Sequence, residues 1–234
     1  MRVLAIGCHP DDLEIGCGGT LAKYAQTGND VFMCHIANGD MGHAVIMPEE
    51  LRRIRTAEAE KSGALLGAKE VFNIDVPDLV VDSTNPDTVK KVIEIIRHVR
   101  PDVIITHSPE DYMTDHLETG RIVFNASFSS SVPHFGAGDV HGLIAPLYYM
   151  DTLAGVNFLP EEYVDITDTL ELKLQAVDKH ESQIKWMRDH DHIDFLDFVR
   201  TVSKFRGLQC GAKYAEGFRV CRTWPRQITK RLLP

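Results

Sequence analysis

Two stretches of this sequence crowd imidazole and carboxylate groups together. The first is Cys8-His9-Pro10-Asp11-Asp12. The second opens at His107 and closes on Asp115-His116, with Glu110 and Asp111 between. Mixed imidazole and carboxylate donors suit zinc or a similar divalent ion. Pro10 stiffens the first turn, so His9 and Asp12 can face one point while Asp11 points elsewhere. A catalytic zinc takes three protein ligands and keeps a fourth position open. His9, Asp12 and one histidine of the second stretch supply that number. Asp11 is then free to act as general base toward a water made acidic by the ion. Each stretch alone has a plainer reading: a polar turn with Asp12 capping a helix, or a chance Asp-His pair. Both together, in one acidic chain, point to a metal site.

Positioning these groups needs a scaffold. Apolar runs bounded by turn signals alternate with stretches of helical period, which predicts an α/β fold of Rossmann-like, three-layer build. Its sheet is mainly parallel, with helices on both faces. The pattern predicts strands at Arg2–Gly7, Asp30–Ala37, Glu70–Ile74, Val103–Thr106 and Leu147–Met150. It predicts helices at Gly18–Thr27, Pro48–Leu66, Thr84–Arg100 and Asp194–Phe205, and one long helix over Thr167–Met187. His107–His116 reads as a loop leaving a strand, and Pro133–Gly142 as a Gly- and His-rich loop. Both chemistry-bearing stretches follow strands, and ligands of open α/β sheets bind at strand carboxyl ends. Without repeats, low-complexity tracts or linkers, residues 1–234 read as a single domain.

Bulk composition narrows the partners. The formal net charge of -9 repels a phosphate backbone and an anionic membrane surface, so neither nucleic acid nor membrane is an expected partner. No apolar run reaches the length of a spanning helix, and Met1–Gly7 reads as a strand rather than a secretory leader. Five cysteines without a C-x-x-C pair suggest neither a disulfide framework nor a zinc ribbon, and the expected home is the reducing cytoplasm. Strand alternation turns Cys8 to the face opposite His9, as a buried thiol.

The motifs also resemble a known family. Cys8–Leu21 (CHPDDLEIGCGGTL) resembles the opening motif of the PIG-L/LmbE-like deacetylases, zinc-dependent hydrolases of N-acetylglucosaminyl compounds. Asn38-Gly39-Asp40-Met41-Gly42 is similar to the family's turn after the second strand, and Arg55-x-x-Glu58 with Leu66-Gly67 to its helix motif. His107–His116 resembles the second metal segment. His180-x-Ser182-Gln183 and Tyr214–Phe218 are similar to two C-terminal motifs. The resemblance spans nearly the whole chain, in order. It implies a single deacetylase domain in which His9, Asp12 and His116 bind Zn2+ or another divalent metal and Asp11 is the general base. It implies Arg55 and Asp40 as substrate-binding residues, Arg55 toward sugar hydroxyls or a phosphate. It puts a catalytic His180 near the active-site mouth. The implied substrate is an N-acetyl amino sugar or glycoconjugate, and relatives often form homo-oligomers. On residues alone, Arg55 reads as a solvated helix charge and His180 as a capped or exposed helix histidine.

One position departs from the family pattern. Where many members carry the first histidine of H-x-D-H, this chain has Met113, and a thioether can neither donate a proton nor carry charge. His180, His107, His134 or His141 could take that role, or protonated Asp11 could return its proton to the amine. A metal-holding sugar-binding protein without activity is the alternative that Met113 motivates. A nucleotide-binding module is a third reading, but Gly16, Gly18 and Gly19 lack the P-loop Lys-Ser/Thr and the G-x-G-x-x-G spacing. Those glycines read as close helix packing, and Asp189–Asp194 as a solvated connection. The aglycone stays open, with specificity assigned to Asn38–Met47, Pro77–Ser83 and Pro133–Ala145.

Overall fold

The computed structural model describes residues 1–140, 142–226 and 228–234. His141, one of the histidines weighed against Met113, lies outside them. Continuous apolar runs form the central strands, because helices cover both faces of a parallel sheet. β1 (Arg2–Gly7) and β4 (Val103–Thr106) are buried along almost their whole length. With β2 (Asp30–Ala37), β3 (Ala68–Val76) and β5 (Leu147–Met150) they form a parallel set in the order β3-β2-β1-β4-β5. β6 (Glu162–Asp165) and β7 (Ala215–Val220) extend the sheet as β5-β7-β6, with β7 antiparallel to both neighbours.

Side-chain alternation along the strands splits the core into two layers. Val3, Ala5, Met33 and Ile105 pack with α1 (Asp12–Gln26), α5 (Leu170–Asp178) and α7 (Phe195–Cys210). Leu4, Ile6, Ile36 and Ile104 pack on the other face with α3 (Pro86–Val99) and α4 (Thr114–Ser129). The three-layer α/β architecture is the expected one. Cys8 lies buried in the second layer, opposite the layer that α1 covers.

Several boundaries follow local chemistry. α2 (Pro48–Leu66) starts on a proline with Glu49 and Glu50 in its first turn, and Gly67 closes it at φ 80°. α1 begins at Asp12, six residues before the predicted start, with its glycines inside the helix. A Cβ on Gly19 would stand 2.8 Å from Ile166, so close packing outweighs the roughly 1 kcal/mol of lost helix propensity per glycine. α4 begins at Thr114, which puts Asp115 and His116 in a helical turn rather than in the predicted loop. The predicted long helix breaks into α5 and α6 (Glu181–Asp189) at His180, whose ψ of 57° is not helical. β6 buries only Val164, and β7 carries Glu216 and Gly217 among its buried positions, so neither shows a strand's apolar pattern and neither was predicted.

The strand order decides where a site can form. β2 leaves β1 on one side and β4 flanks it on the other, so the order reverses between β1 and β4. At such a switch point the loops diverge and open a crevice. Ile6 pairs with Thr106 across that boundary, so the segments beginning at His9 and His107 emerge side by side.

Candidate metal centre and active site

One carboxylate oxygen is the hub of this crevice. Asp12 Oδ2 lies 3.4 Å from His9 Nδ1, 3.3 Å from His107 Nε2 and 3.4 Å from His116 Nε2, and it accepts the His9 backbone N–H at 2.6 Å. Ligands about 2.0–2.1 Å from a tetrahedral ion stand roughly 3.3–3.4 Å from one another, and each ring nitrogen keeps that distance from the Asp12 oxygen. Burial disfavours the Asp12 charge, but His116 and His107 outweigh it and hold its pKa well below the ordinary range. An ionised carboxylate among imidazoles attracts a cation.

The second nitrogen of each ring decides which histidines can bind one. His116 Nδ1 is held by Asp111 Oδ2 at 3.1 Å, while its buried Nε2 has no hydrogen-bond partner and faces Asp12. A ligating histidine braced by a carboxylate has this form. His107 stacks on His116 with centroids 4.0 Å apart, but its Nε2 accepts the Cys8 backbone N–H at 2.9 Å, so that lone pair is engaged. His9 turns Nδ1 to Asp12 and leaves Nε2 3.5 Å from Asp115 Oδ2. Among the described residues the compact donor groups are Cys8-His9-Asp12 and Asp12-His107-His116. They share Asp12; the expected trio of His9, Asp12 and His116, which draws one histidine from each, is not itself one of the two. A buried, unpartnered imidazole nitrogen beside an ionised carboxylate fits a divalent ion.

Asp11 bends away from the hub at φ 130°, a region that costs a non-glycine residue about 1–3 kcal/mol. Arg55 on α2 clamps it there. Its Nη2 stands 3.1 Å from Asp11 Oδ2 and donates to the Pro10 carbonyl at 2.5 Å, and Nη1 donates to the Gly39 carbonyl at 3.3 Å. A Cβ at Gly39 would come within 2.5 Å of the Arg55 side chain, so this close approach requires glycine. Burial raises the Asp11 pKa to about 6, with Arg55 opposing part of the rise. Arg55 is therefore neither a solvated charge nor a side chain reaching into the open crevice: it is 3% exposed and directs its donors to Asp11 and backbone.

The other expected site residues are placed differently. Asp40 Oδ1 accepts the Asp78 N–H at 3.0 Å, while Asp78 accepts from the Gly39 and Met41 amides at 2.8 and 3.2 Å. Asp40 thus shapes its own loop. His180 is not at the mouth. It is fully buried, with Nε2 3.2 Å from Glu14 Oε1, because Glu58 accepts from both the Ser182 N–H (2.8 Å) and its hydroxyl (2.7 Å) and turns the chain inward there. Burial lowers the His180 pKa, but Glu14 and then Asp11 outweigh that and leave it raised.

Met113 precedes α4, its N–H donating to Asp111 Oδ1 at 3.0 Å. Asp115, freed of a histidine at 113, accepts the Leu79 N–H at 2.7 Å and backs His9. Among the described histidines weighed for the missing role, His107 and His180 are buried and His134 sits exposed on its loop. No role is legible in the sequence for Asp111, Asp78 or Glu14, although Asp111 lies inside His107–His116, Glu14 inside Cys8–Leu21 and Asp78 inside Pro77–Ser83. Asp189–Asp194 contributes to no compact donor group among the described residues, and His190 pairs locally with Asp191 at 2.8 Å.

A carboxylate hub ringed by imidazoles, beside a second acid whose pKa burial raises to about 6, fits a metal-dependent hydrolase site on a Rossmann-like sheet. Residues 4–127, which contain both donor-rich segments, match the PIG-L family, described as GlcNAc-PI de-N-acetylase. The diacetylchitobiose deacetylase of Thermococcus kodakarensis (strain KOD1) is 31% identical over 228 residues, covering 93% of this chain and 82% of that protein. The chain belongs to the PIG-L family, whose deacetylases are metal-dependent hydrolases of amides. Among solved structures, N,N'-diacetylchitobiose deacetylase from Pyrococcus horikoshii, in complex with an inhibitor, is 30% identical with a TM-score of 0.82, over 94% of this chain and 83% of that one. The 4-carboxy-2-hydroxymuconate hydratase of Pseudomonas putida KT2440 has a TM-score of 0.82 at 21% identity, over 99% of both chains, and shares the fold. No helix among the described residues is long and apolar enough to cross a membrane.

Proposed function

We propose that this single-domain chain removes the acetyl group from the nitrogen of an N-acetylglucosamine-type amino sugar or its conjugate, with His9, Asp12 and His116 holding Zn2+. The observation that carries the reading is the buried, unpartnered Nε2 of His116, 3.4 Å from the Asp12 oxygen that also faces His9. The ion supplies Lewis-acid activation of water and of the amide carbonyl. The protein's part falls to Asp11, which takes the proton from the attacking water on its carboxylate. The water oxygen bonds to the carbonyl carbon, the C–N bond breaks, and the proton passes from Asp11 to the leaving nitrogen. Acetate and a free amine result. A pKa of about 6 suits a group that must both accept and return a proton, which supports Asp11 in the part left vacant at Met113. Arg55 holds Asp11 in place, and the charges of Arg55 and His180 favour its ionised form. The Thermococcus and Pyrococcus relatives are named for diacetylchitobiose, which supports a short N-acetylglucosamine oligosaccharide as substrate. Five free cysteines support a reducing compartment, the cytoplasm.

The test is release of free amine and acetate from N-acetylglucosamine, diacetylchitobiose and an N-acetylglucosaminyl inositol, with and without a chelator. Turnover that the chelator abolishes and added Zn2+ restores is expected. Binding of these sugars by the metal-loaded protein with no amine released would establish the inactive alternative.

A further inference from the structure

A small cavity adjoins the hub, and its role depends on the deacetylase reading. It lies between α1, the end of β5, the 3₁₀ turn at Leu153–Gly155 and α7, with Asp12, His107 and His116 on one wall. Ile15, Met150, Leu153, Phe198 and Val202 supply an apolar lining. On the α1 side the wall is tight, since a Cβ at Gly16 would stand 2.7 Å from Met150 Sδ. The centres of water-sized molecules can occupy about 30 Å3 of it. One water needs roughly 10–15 Å3 by that measure, so the space suits a methyl or ethyl group.

Polar groups on its border are engaged within the protein. Asp151 accepts from Arg206 Nε at 2.6 Å and Nη2 at 3.0 Å, and the Thr152 hydroxyl donates to the Val156 carbonyl at 2.5 Å. A hydroxyl buried here without a partner would be penalised. An amide whose carbonyl meets the hub has two arms. The sugar arm is large and hydroxyl-rich, so neither its size nor its chemistry matches the cavity. It must take the other side, where the His9 side chain is 14% exposed. The acyl arm is small and apolar.

We propose that this cavity receives the acyl methyl and limits acyl length, with Met150, Phe198 and Val202 as specificity-determining residues. The experiment compares N-acetyl-, N-propionyl- and N-butyrylglucosamine, or the matching chitobiose derivatives if those are turned over, by amine release. In the unaltered enzyme kcat/KM should change little from acetyl to propionyl and fall about 10-fold or more at butyryl. Val202→Ala should raise the butyryl-to-acetyl ratio at least about 10-fold with metal content unchanged. Phe198→Leu should act in the same sense and covers the case in which the first variant folds poorly. Calorimetric titration with acetate, propionate and butyrate gives a readout apart from turnover: affinity should drop at butyrate in the parent and less so in the variants. Amine release with acyl ratios that are flat, or unmoved by both variants, overturns the cavity assignment alone. Release from no N-acyl sugar overturns the deacetylase reading, and this assignment falls with it.

Discussion

Asp11 and Asp12 are neighbours of the same type in opposite states. Asp12 sits among imidazoles and stays ionised, whereas Asp11 is buried against Arg55 and titrates near 6. Paired acids whose surroundings push them apart take different roles, one binding and one moving protons. Asp11→Ala should therefore lower kcat by about 10²–10⁴-fold while elemental analysis still finds the metal. His116→Ala should lose metal and activity together, because the lone pair facing Asp12 disappears. Loss of metal from the Asp11 variant would make that residue a ligand and end the assignment of roles. Motif spacing exposed these residues because their donors lie close along the chain. It did not expose Asp111 as the brace of His116, since a carboxylate five residues upstream reads like any loop acid until α4 folds back over it.

Elements hold the site through contacts that pair one motif with another. Arg55 and Glu58 lie one helical turn apart on α2. The first reaches Asp11 and the second caps the start of α6 through Ser182. Gln183 on α6 donates to the Gly42 carbonyl at 3.1 Å, so α6 also ties down the loop that carries Asp40. Removing the acceptor would strand a buried N–H and a buried hydroxyl. Glu58→Ala should thus cost about 1–3 kcal/mol in urea unfolding and speed amide exchange over residues 180–184, while Glu58→Gln, which keeps an acceptor, should cost less. Unchanged exchange there would show that the cap does not set the break at His180. That break was illegible in the sequence because Thr167–Met187 has helical period throughout. What interrupts it is a partner more than a hundred residues away.

Across the whole molecule, β7, next to the far edge of the sheet, is coupled to α1 by a buried ion pair. Lys173 on α5 meets Glu216 on β7 at 2.6 Å, both nearly inaccessible. Glu216 also accepts the Gly19 and Thr20 amides of α1, and Lys173 donates to the Ile15 carbonyl. The motif around Glu216 is thus a fastener for the helix that begins at Asp12. Glu216→Ala would leave the Lys173 charge buried and unpaired, so unfolding free energy should drop by about 3–5 kcal/mol, and adding Lys173→Met should recover part of it. A loss below about 1 kcal/mol in the single variant, by urea denaturation, would show the pair to be solvated. At this scale the fold does not choose the reaction, as a hydratase of nearly equal length shares it. The side chains at the β1–β4 switch point do.

The sequence by itself determined the alternation of strands and helices, the two donor-rich turns at strand ends and the family to which they belong. These are written in local period and in residue types at short spacing, which one chain can show. Only the tertiary structure decided that Arg55 serves Asp11, that His180 lies buried against Glu14, and that a small apolar cavity backs the hub. Each depends on groups from distant elements competing for the same few ångströms, and burial with hydrogen-bond partners across the fold, not spacing along the chain, settles that competition.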